Sequence, residues 1–308
     1  MKKPLVSIVI PVYNGDNYVR EAIESALAQS YDNIEIVVVN DGSPDEGKTK
    51  AACMEYEGKI NYYEKENGGC SSALNYGVKV AKGEYISWLS HDDLYYPDKI
   101  KHQVELYAQK NLDKNNVIIS SRGDLIDKDG KKIFHPLYGK NGYLDSLESF
   151  KYLLFVKCFS GCGLLIPKCL FEQGLYFRED MHFVLDWNLW LKFAINGAHF
   201  FVDDHILVSI RQHSMQVTEK HKELYKKETV ETEEELFLIL KEKNEKRLLD
   251  ELYVFIVSGR SPLSCTIRDY YEKHNYKKPY IKTAMMKMQF SIMRFMKKIY
   301  HKLFIRKK

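Results

Sequence analysis

The sequence predicts an α/β fold, in which a mostly parallel sheet is flanked by helices and followed by a helical C-terminal extension. Two observations lead to this prediction. Short β-branched segments alternate with helix-length segments through the first hundred residues, as in βαβ units. After about residue 220 the pattern is wholly helical. We therefore expect a sheet domain over residues 1–218 and a helical extension over residues 219–308.

The first predicted strand, residues 6–11, is a continuous apolar run (Val-Ser-Ile-Val-Ile-Pro), which is typical of a parallel strand buried on both faces. Further strands are predicted at 34–39, 60–64 and 84–89. Helices are predicted at 17–29, 45–57 and 71–82, and from Pro97 onward. Beyond residue 116 the pattern is mixed, and it predicts a strand at 116–121, a hairpin turn at 127–130 and helices at 145–157 and 183–196.

The charge of the chain is divided unevenly. The whole chain carries +4, but residues 273–308 contain twelve Lys or Arg and no acid, which leaves −8 on residues 1–272. In a predicted helix over 279–306, apolar residues recur every three or four positions and form one stripe, with most basic residues opposite. This pattern is typical of a helix on an anionic membrane surface. Packing of that helix on the acidic body is the alternative.

Composition excludes several other classes. With 45% hydrophobic and 29% charged residues, the chain is not disordered. Nucleic acid is not expected as a partner, because no nucleic-acid-binding motif accompanies the basic residues. The apolar segment that ends at Pro11 is too short for a secretory signal, and no stretch reaches the roughly 18 apolar residues of a spanning helix. The six cysteines include no Cys-x-x-Cys pair, which favours reduced thiols. We expect a cytoplasmic protein, peripheral at the inner face of the cell membrane.

Polar side chains follow three of the first four predicted strands. They are Tyr13 and Asn14, Asn40 and Asp41, and His91, Asp92 and Asp93. In an open α/β sheet, ligands bind at the carboxyl ends of the strands. Two adjacent aspartates after an apolar strand concentrate negative charge, so we expect a cation there, and carboxylate oxygens suit Mg²⁺ or Mn²⁺. A dinucleotide-binding fold is excluded, because the first turn has one glycine where the fingerprint needs three.

A series of motifs occurs in one order along residues 4–218. They are Val-Ser-Ile-Val-Ile-Pro-Val-Tyr-Asn at 6–14, Asn-Asp-Gly-Ser at 40–43, Glu-Asn-Gly-Gly at 66–69, the helix at 73–83, Ser-His-Asp-Asp at 90–93 and Asp-Trp-Asn-Leu-Trp-Leu at 186–191. With these motifs the chain resembles the family-2 glycosyltransferases, inverting enzymes of the GT-A fold, of the type that builds bacterial cell-surface polysaccharide. The resemblance fades after Arg-Gln-His at 211–213.

The resemblance implies a site for a nucleotide-sugar, most simply a UDP-sugar. Pro11, Tyr13 and Asp41 match positions that line the nucleotide pocket, with Asp41 facing the uracil base. Asn67 lies in the Glu-Asn-Gly-Gly motif at 66–69, and the resemblance assigns it to the same nucleotide-sugar site. His91, like Ser90 beside it, stands where an acid is usual and offers a hydrogen bond to ribose.

The resemblance also implies the catalytic groups. Asp92 matches the metal-binding aspartate, and Asp93 supports it. His213, from a C-terminal loop, is a candidate to complete the site for Mn²⁺ or Mg²⁺, and a surface histidine is the alternative interpretation of it. Asp186 matches the catalytic base, which takes a proton from an acceptor hydroxyl as that oxygen attacks the anomeric carbon. The other interpretations are a helix N-cap for Asp186 and core packing for Trp187 and Trp190.

The chain departs from the family pattern at several positions. Ser90 and Leu185 stand where acids are usual, and Leu74 stands where many members have Arg. These departures motivate an alternative function, a nucleotide-binding pseudoenzyme or scaffold in a polysaccharide assembly complex. A metal-dependent nucleotidyltransferase shares a similar fold but calls for a basic triphosphate loop, which residues 12–16 do not provide.

The leading hypothesis is an inverting transferase that acts on a hydroxyl of a glycan or polyprenyl-linked acceptor. Attachment to the membrane surface raises the local concentration of such an acceptor. The hypothesis requires Asp41, Asp92 and Asp186, which are far apart along the chain, to converge on one cleft.

Overall fold

The computed structural model describes residues 3–134, 141–156, 159–212, 222–260 and 264–274. The chain divides into two compact units, Met1–Lys222 and Glu223–Lys308. The predicted helix at 279–306 and the predicted metal ligand His213 lie outside the described residues.

The strands and helices predicted in the first hundred residues are confirmed. The strands are β1 (Val6–Val12), β2 (Ile34–Asn40), β3 (Asn61–Glu64) and β4 (Tyr85–Trp88), followed by the two-residue β5 (Leu94–Tyr95). The helices are α1 (Val19–Leu27), α2 (Lys48–Met54), α3 (Gly69–Val80) and α4 (Lys99–Gln109). The observed bounds differ from the predicted ones by at most three residues at either end.

The second half of the first unit contains more strands than the sequence predicts. The strands are β6 (Val117–Ile126), β7 (Lys132–Phe134), β8 (Gly142–Leu144), β9 (Leu164–Pro167) and β10 (His199–Arg211). The helices are α5 (Ser146–Val156), α6 (Lys168–Glu172) and α7 (Leu185–Ile195). The predicted strand at 116–121, the hairpin turn and the helices α5 and α7 are confirmed. The pattern missed β10, because Asp203, Asp204 and His205 interrupt its apolar run.

All ten strands form one sheet, in the order β3-β2-β1-β4-β9-β6-β10-β5, with β7 on β6 and β8 on β10. The first four strands are parallel, as are β6 and β10. Strand β9 runs antiparallel to β4 and β6 and joins these two parallel groups. The predicted α/β class is confirmed. The strand order reverses between β1 and β4, and this switch point is where such sheets bind ligands.

The core explains why β1 is central. All seven residues of β1 are buried, so the strand is covered on both faces. Helix α3 packs on it so closely that a Cβ on Gly77 would lie 2.3 Å from Cγ1 of Val9. Only glycine permits this approach, which brings the N-terminus of α3 to the carboxyl ends of the strands.

In the second unit, the described residues form the helices α8 (Lys222–Glu242), α9 (Lys246–Phe255) and α10 (Cys265–Lys273), and a π-helical turn at Ile256–Arg260. Aromatic rings of Phe237, Tyr253, Tyr270 and Tyr271 pack together. The Tyr271 hydroxyl also donates to the Leu249 carbonyl at 2.9 Å. Within the described part of the chain, no helix has both the length and the apolar character needed to cross a bilayer.

Candidate functional site

The switch point opens where Pro11 interrupts the sheet. Successive residues of a strand direct their backbone N–H and C=O groups toward alternate neighbouring strands. The Val9 carbonyl accepts from Leu89 N–H, just past β4, at 3.0 Å. The backbone of residue 11, two positions later, therefore also faces β4. Pro11 has no N–H to donate. The pairing of β1 with β4 accordingly ends at Val9 and Trp88, whereas its pairing with β2 continues to Val12 and Asn40. Pro11 is thus buried at the base of the predicted nucleotide pocket.

The loop after β1 carries Tyr13, which is 44% exposed, and Asn14, whose φ of 48° lies in the left-handed region. The Ser43 hydroxyl accepts from Asn14 N–H at 2.9 Å, which joins this loop to the loop after β2. A Cβ on Gly15 would lie 2.7 Å from Cδ2 of His91, so the His91 ring packs directly on the Gly15 backbone. Tyr13 and His91 therefore flank the same opening.

Asp41 lies at the end of β2, 2% exposed. Its Oδ1 accepts from Lys65 Nζ at 2.8 Å, and its Oδ2 accepts from Gly69 N–H, the first residue of α3, at 2.7 Å. The Asn67 side-chain amide donates to the Asp41 carbonyl at 3.0 Å. The carboxylate is thus held by a cation and by the positive end of a helix. The Gly68 N–H is shared between Oδ1 and Oδ2, at 3.1 and 3.3 Å, so each of the carboxylate's about four acceptor positions faces a donor.

The third predicted cluster, after β4, is fastened by Arg211 at the end of β10. Arg211 is 1% exposed. Its Nε donates to the Asp92 carbonyl at 2.9 Å, and its backbone N–H donates to the Asp93 carboxylate at 2.9 Å. Its guanidinium also bonds Glu21 at 2.7 Å and lies over the Tyr18 ring. Asp93 is buried and Asp92 is half-buried.

Asp186 is brought to the site by contacts between α3 and the segment before α7. The buried Asn75 side chain on α3 donates to the Phe177 carbonyl at 2.9 Å and accepts from Phe177 N–H at 3.0 Å. The Ser71 hydroxyl on the same helix donates to the Met181 carbonyl at 3.2 Å. These bonds join residues more than a hundred positions apart and place the start of α7 beside the start of α3.

Within α7, Asp186 lies in the first turn and is half-buried, and its carboxylate accepts from Trp187 N–H at 2.6 Å. The N-cap residue is Val184, so the N-cap interpretation of Asp186 is wrong. Trp187 and Trp190 are buried, which confirms core packing for both. The Trp187 indole also donates to the Leu153 carbonyl at 2.8 Å. The helix is therefore anchored on one side and presents Asp186 at its end.

The charges of the three predicted carboxylates all act on one thiol, that of Cys70. Burial, as the largest cause, and the negative charges of Asp186, Asp41 and Asp92 together raise the pKa of the Cys70 thiol to about 12. All three carboxylates therefore lie within electrostatic range of one atom. The Cys70 side chain is open to solvent, yet desolvation is the largest cause of the shift. Both properties together describe a residue on the wall of a cleft.

The donor set around Asp92 fits a hard divalent cation. Burial raises the pKa of Asp93 well above the ordinary range, and the charge of the neighbouring Asp92 raises it further. The raised pKa means that Asp93 takes up a proton more readily, because a second negative charge beside Asp92 is unfavourable, and the charge of a bound cation would offset this. Within the described residues Asp92 supplies one oxygen ligand, which suits Mg²⁺ or Mn²⁺ when water and phosphate oxygens complete the coordination.

Sequence reasoning missed four residues of this site. Lys65 pairs with Asp41, Asn75 positions the segment before α7, Cys70 lines the cleft, and Arg211 holds the loop after β4. Of the four, only Arg211 could have been found from the sequence pattern, because its charge directly follows an apolar strand segment. The other three make contacts that follow no local pattern.

Known proteins resemble this chain over the same region. The family model for glycosyl transferase family 2 matches residues 7–172. An uncharacterized glycosyltransferase from Rickettsia bellii is 48% identical over 217 residues, which are 70% of this chain and 31% of that protein. The minor teichoic acid biosynthesis protein GgaB from Bacillus subtilis is 48% identical over 94 residues, 29% of this chain and 10% of that protein. The chain thus spans about a third or less of these relatives.

The fold is that of a solved structure, S. aureus TarS residues 1–349 in complex with UDP-GlcNAc. The TM-score is 0.65, with 19% sequence identity, over 82% of this chain and 71% of TarS 1–349. At this identity the likeness shows the fold, and the GT-A expectation is confirmed.

Because three carboxylates act on Cys70, we predict that its thiol reacts slowly with alkylating agents. Because the thiolate is the reactive form, we expect iodoacetamide at pH 8 to alkylate Cys70 at least about tenfold more slowly than the exposed Cys265 in the same chain. Asp186→Asn removes one negative charge and should speed the reaction of Cys70. Asp32→Asn, at an exposed carboxylate paired with Lys3, is the control and should leave the rate unchanged. Peptide mass spectrometry measures both rates, and equal rates for Cys70 in wild type and Asp186→Asn would contradict the arrangement.

Proposed function

Because the chain belongs to family 2 of the glycosyltransferases, we propose that it transfers a sugar from a UDP-sugar to a hydroxyl of a glycan or polyprenyl-linked acceptor, with inversion at the anomeric carbon. The observation that carries this proposal is that the start of α3 bonds both the Asp41 carboxylate and the segment before Asp186, and that the charges of Asp41, Asp92 and Asp186 all act on Cys70 there. A nucleotide site, a cation site and a base are then side by side, which is what a single displacement on a nucleotide-sugar requires.

The donor is assigned from the opening between β1 and β4. Tyr13, Asn67 and His91 belong to this nucleotide pocket in the proposal, with Asp41 facing the uracil base. The structural neighbour TarS was crystallised with UDP-GlcNAc, which supports a UDP-sugar as the donor class. The name of the relative GgaB, a teichoic acid biosynthesis protein, supports a cell-surface polymer as the acceptor class.

Asp186 acts as the general base in this proposal. It stands in the first turn of α7. The carboxylate accepts the proton of the acceptor hydroxyl while that oxygen attacks the anomeric carbon from the face opposite the diphosphate. One displacement of this kind inverts the configuration of the sugar.

Asp92 would hold the divalent cation, Mn²⁺ or Mg²⁺, with His213 as a second ligand. When bound, such an ion offsets the negative charge that develops on the departing diphosphate. Asp93 does not face the ligand: it fixes the loop by accepting from Arg211 N–H and from the Cys162 thiol, at 2.9 and 3.2 Å. Arg211 positions Asp92 through the Asp92 carbonyl.

The basic amphipathic segment at 279–306 supports a place at the inner face of the cell membrane. Its cations would face anionic headgroups and its apolar stripe would enter the acyl boundary. This location brings the active site to a lipid-linked acceptor.

Donor binding is tested with a thermal-shift panel of UDP-sugars, each with and without Mn²⁺. At a hundredfold excess over Kd we expect one UDP-sugar to raise the Tm by about 5 °C beyond the effect of Mn²⁺ alone. Asp92→Asn should abolish the part of this rise in Tm that depends on Mn²⁺, whereas the control Asp32→Asn should retain it. An equal rise in Tm with and without Mn²⁺ would contradict the role of Asp92. No rise in Tm with any UDP-sugar would contradict the donor class.

The base is tested by the rate of UDP release from the donor identified in that panel. Asp186→Asn should lower kcat about 10²–10⁴-fold while the donor still raises the Tm, because the base acts on the acceptor and not on UDP. Asp32→Asn is again the matched control. Wild-type protein that binds the donor but releases UDP no faster than Asp186→Asn would instead support the nucleotide-binding scaffold.

Membrane attachment is tested by sedimentation with vesicles. We expect the full chain to bind vesicles containing phosphatidylglycerol at low salt and to be released as the salt concentration rises, because the attraction is electrostatic. Lys297→Glu combined with Lys298→Glu should weaken binding by at least roughly thirtyfold, since each of the two basic residues contributes about 1 kcal/mol. The control is Lys48→Glu with Lys50→Glu, on the first unit. Equal binding to phosphatidylcholine vesicles would contradict the proposal.

A further inference from the structure

A cluster of metal-ligating side chains lies on the far part of β10, away from the cleft. His102 is on α4, and Asp203 and His205 are on β10. The ligand atoms of these three all lie within 4.8 Å of one another, and within the described ranges no other three His, Cys, Asp or Glu residues do this. His205 and Arg211 are six residues apart on β10, so the cluster lies on the order of 20 Å along the strand from the loop that holds Asp92.

The backbone of β10 is irregular where it supplies two of these ligands. Val202 pairs with Ser120 and Ile206 with Arg122, so three residues of β10 stand opposite one residue of β6. The extra residues form a bulge, which contains both Asp203 and His205. Bulges of this kind re-aim side chains and are common beside functional sites.

The donor atoms converge on one point. Nε2 of His102 lies 3.0 Å from Asp203 Oδ2, and Nδ1 of His205 lies 3.1 Å from Asp203 Oδ1. Ligands that each bind a tetrahedral metal at 2.0–2.1 Å are roughly 3.3 Å apart. The two imidazole rings, with centroids 4.1 Å apart and planes at 48°, both direct a nitrogen at the carboxylate.

Burial distinguishes this cluster from a surface ion pair. Asp203 is 6% exposed, His102 is half-buried and His205 is exposed. A buried carboxylate with imidazoles on both sides, open to solvent on the His205 side, has a path for an ion and a position left for water. Two nitrogen ligands and one oxygen favour Zn²⁺, Co²⁺ or Ni²⁺ over Mg²⁺.

We propose that His102, Asp203 and His205 bind a divalent transition-metal ion, with water in the fourth position. The ion joins α4 to β10 and so braces the strand that ends at Arg211. It is distinct from the ion held by Asp92, since it requires neither nucleotide nor any residue of the cleft.

The test is a Co²⁺ titration of the full-length, tag-free protein after treatment with a chelator, without nucleotide. We expect one equivalent of Co²⁺ to produce the visible absorption of a four-coordinate site. His205→Ala, at an exposed position, should weaken Co²⁺ binding at least tenfold without loss of the fold, and His102→Ala should do the same. His199→Ala, on the same strand, and Asp92→Asn should leave the affinity unchanged.

Three results would overturn the proposal. The first is that the wild-type protein shows no visible band with Co²⁺. The second is that His205→Ala binds Co²⁺ with wild-type affinity. The third is that Asp92→Asn loses its affinity for Co²⁺, which would assign the ion to the cleft. A rise in Tm with Zn²⁺ that persists in Asp92→Asn and disappears in His205→Ala supports the site independently of any transferase activity.

Discussion

The active-site end of the sheet depends on the buried guanidinium of Arg211. It contacts three segments that are distant in sequence: Tyr18 and Glu21 on α1, the Lys128 carbonyl in the hairpin turn, and the Asp92 carbonyl after β4. A buried cation is costly unless charges and hydrogen bonds surround it, so each of these segments is constrained by the need to satisfy it. The Arg211 backbone adds the bond to Asp93. The orientation of the Asp92 side chain follows from this network.

A second constraint is the close packing of α3 on β1. Gly77 permits that contact, and it brings the N-terminus of α3 to the end of β2, where the Asp41 carboxylate receives Gly68 and Gly69 N–H. The same helix then holds the segment before α7 through Asn75. One helix therefore positions Asp41 and Asp186 together, and Cys70 in its first turn is affected by both charges.

Strand β10 connects the two parts of the chemistry proposed for this protein. Its carboxyl end carries Arg211 beside the donor pocket, and its bulge carries Asp203 and His205. A transition metal bound at the bulge would restrain the strand against α4, whereas the ion at Asp92 arrives with the nucleotide. The two sites differ in their ligands for this reason: imidazole nitrogen suits a resident structural ion, and carboxylate oxygen suits an ion shared with phosphates.

The sequence by itself determined the alternation of strands and helices in the first hundred residues and the polar clusters after β1, β2 and β4, because side-chain periodicity and turn residues act over a few positions. It also determined the family. Only the tertiary structure decided that β10 is a strand, that Lys65 neutralises Asp41, and that Asn75 and Arg211 fix the positions of Asp186 and Asp92. Those contacts join residues from 24 to more than 100 positions apart. No local pattern encodes such pairs, since their partners are chosen by the packing of the whole sheet.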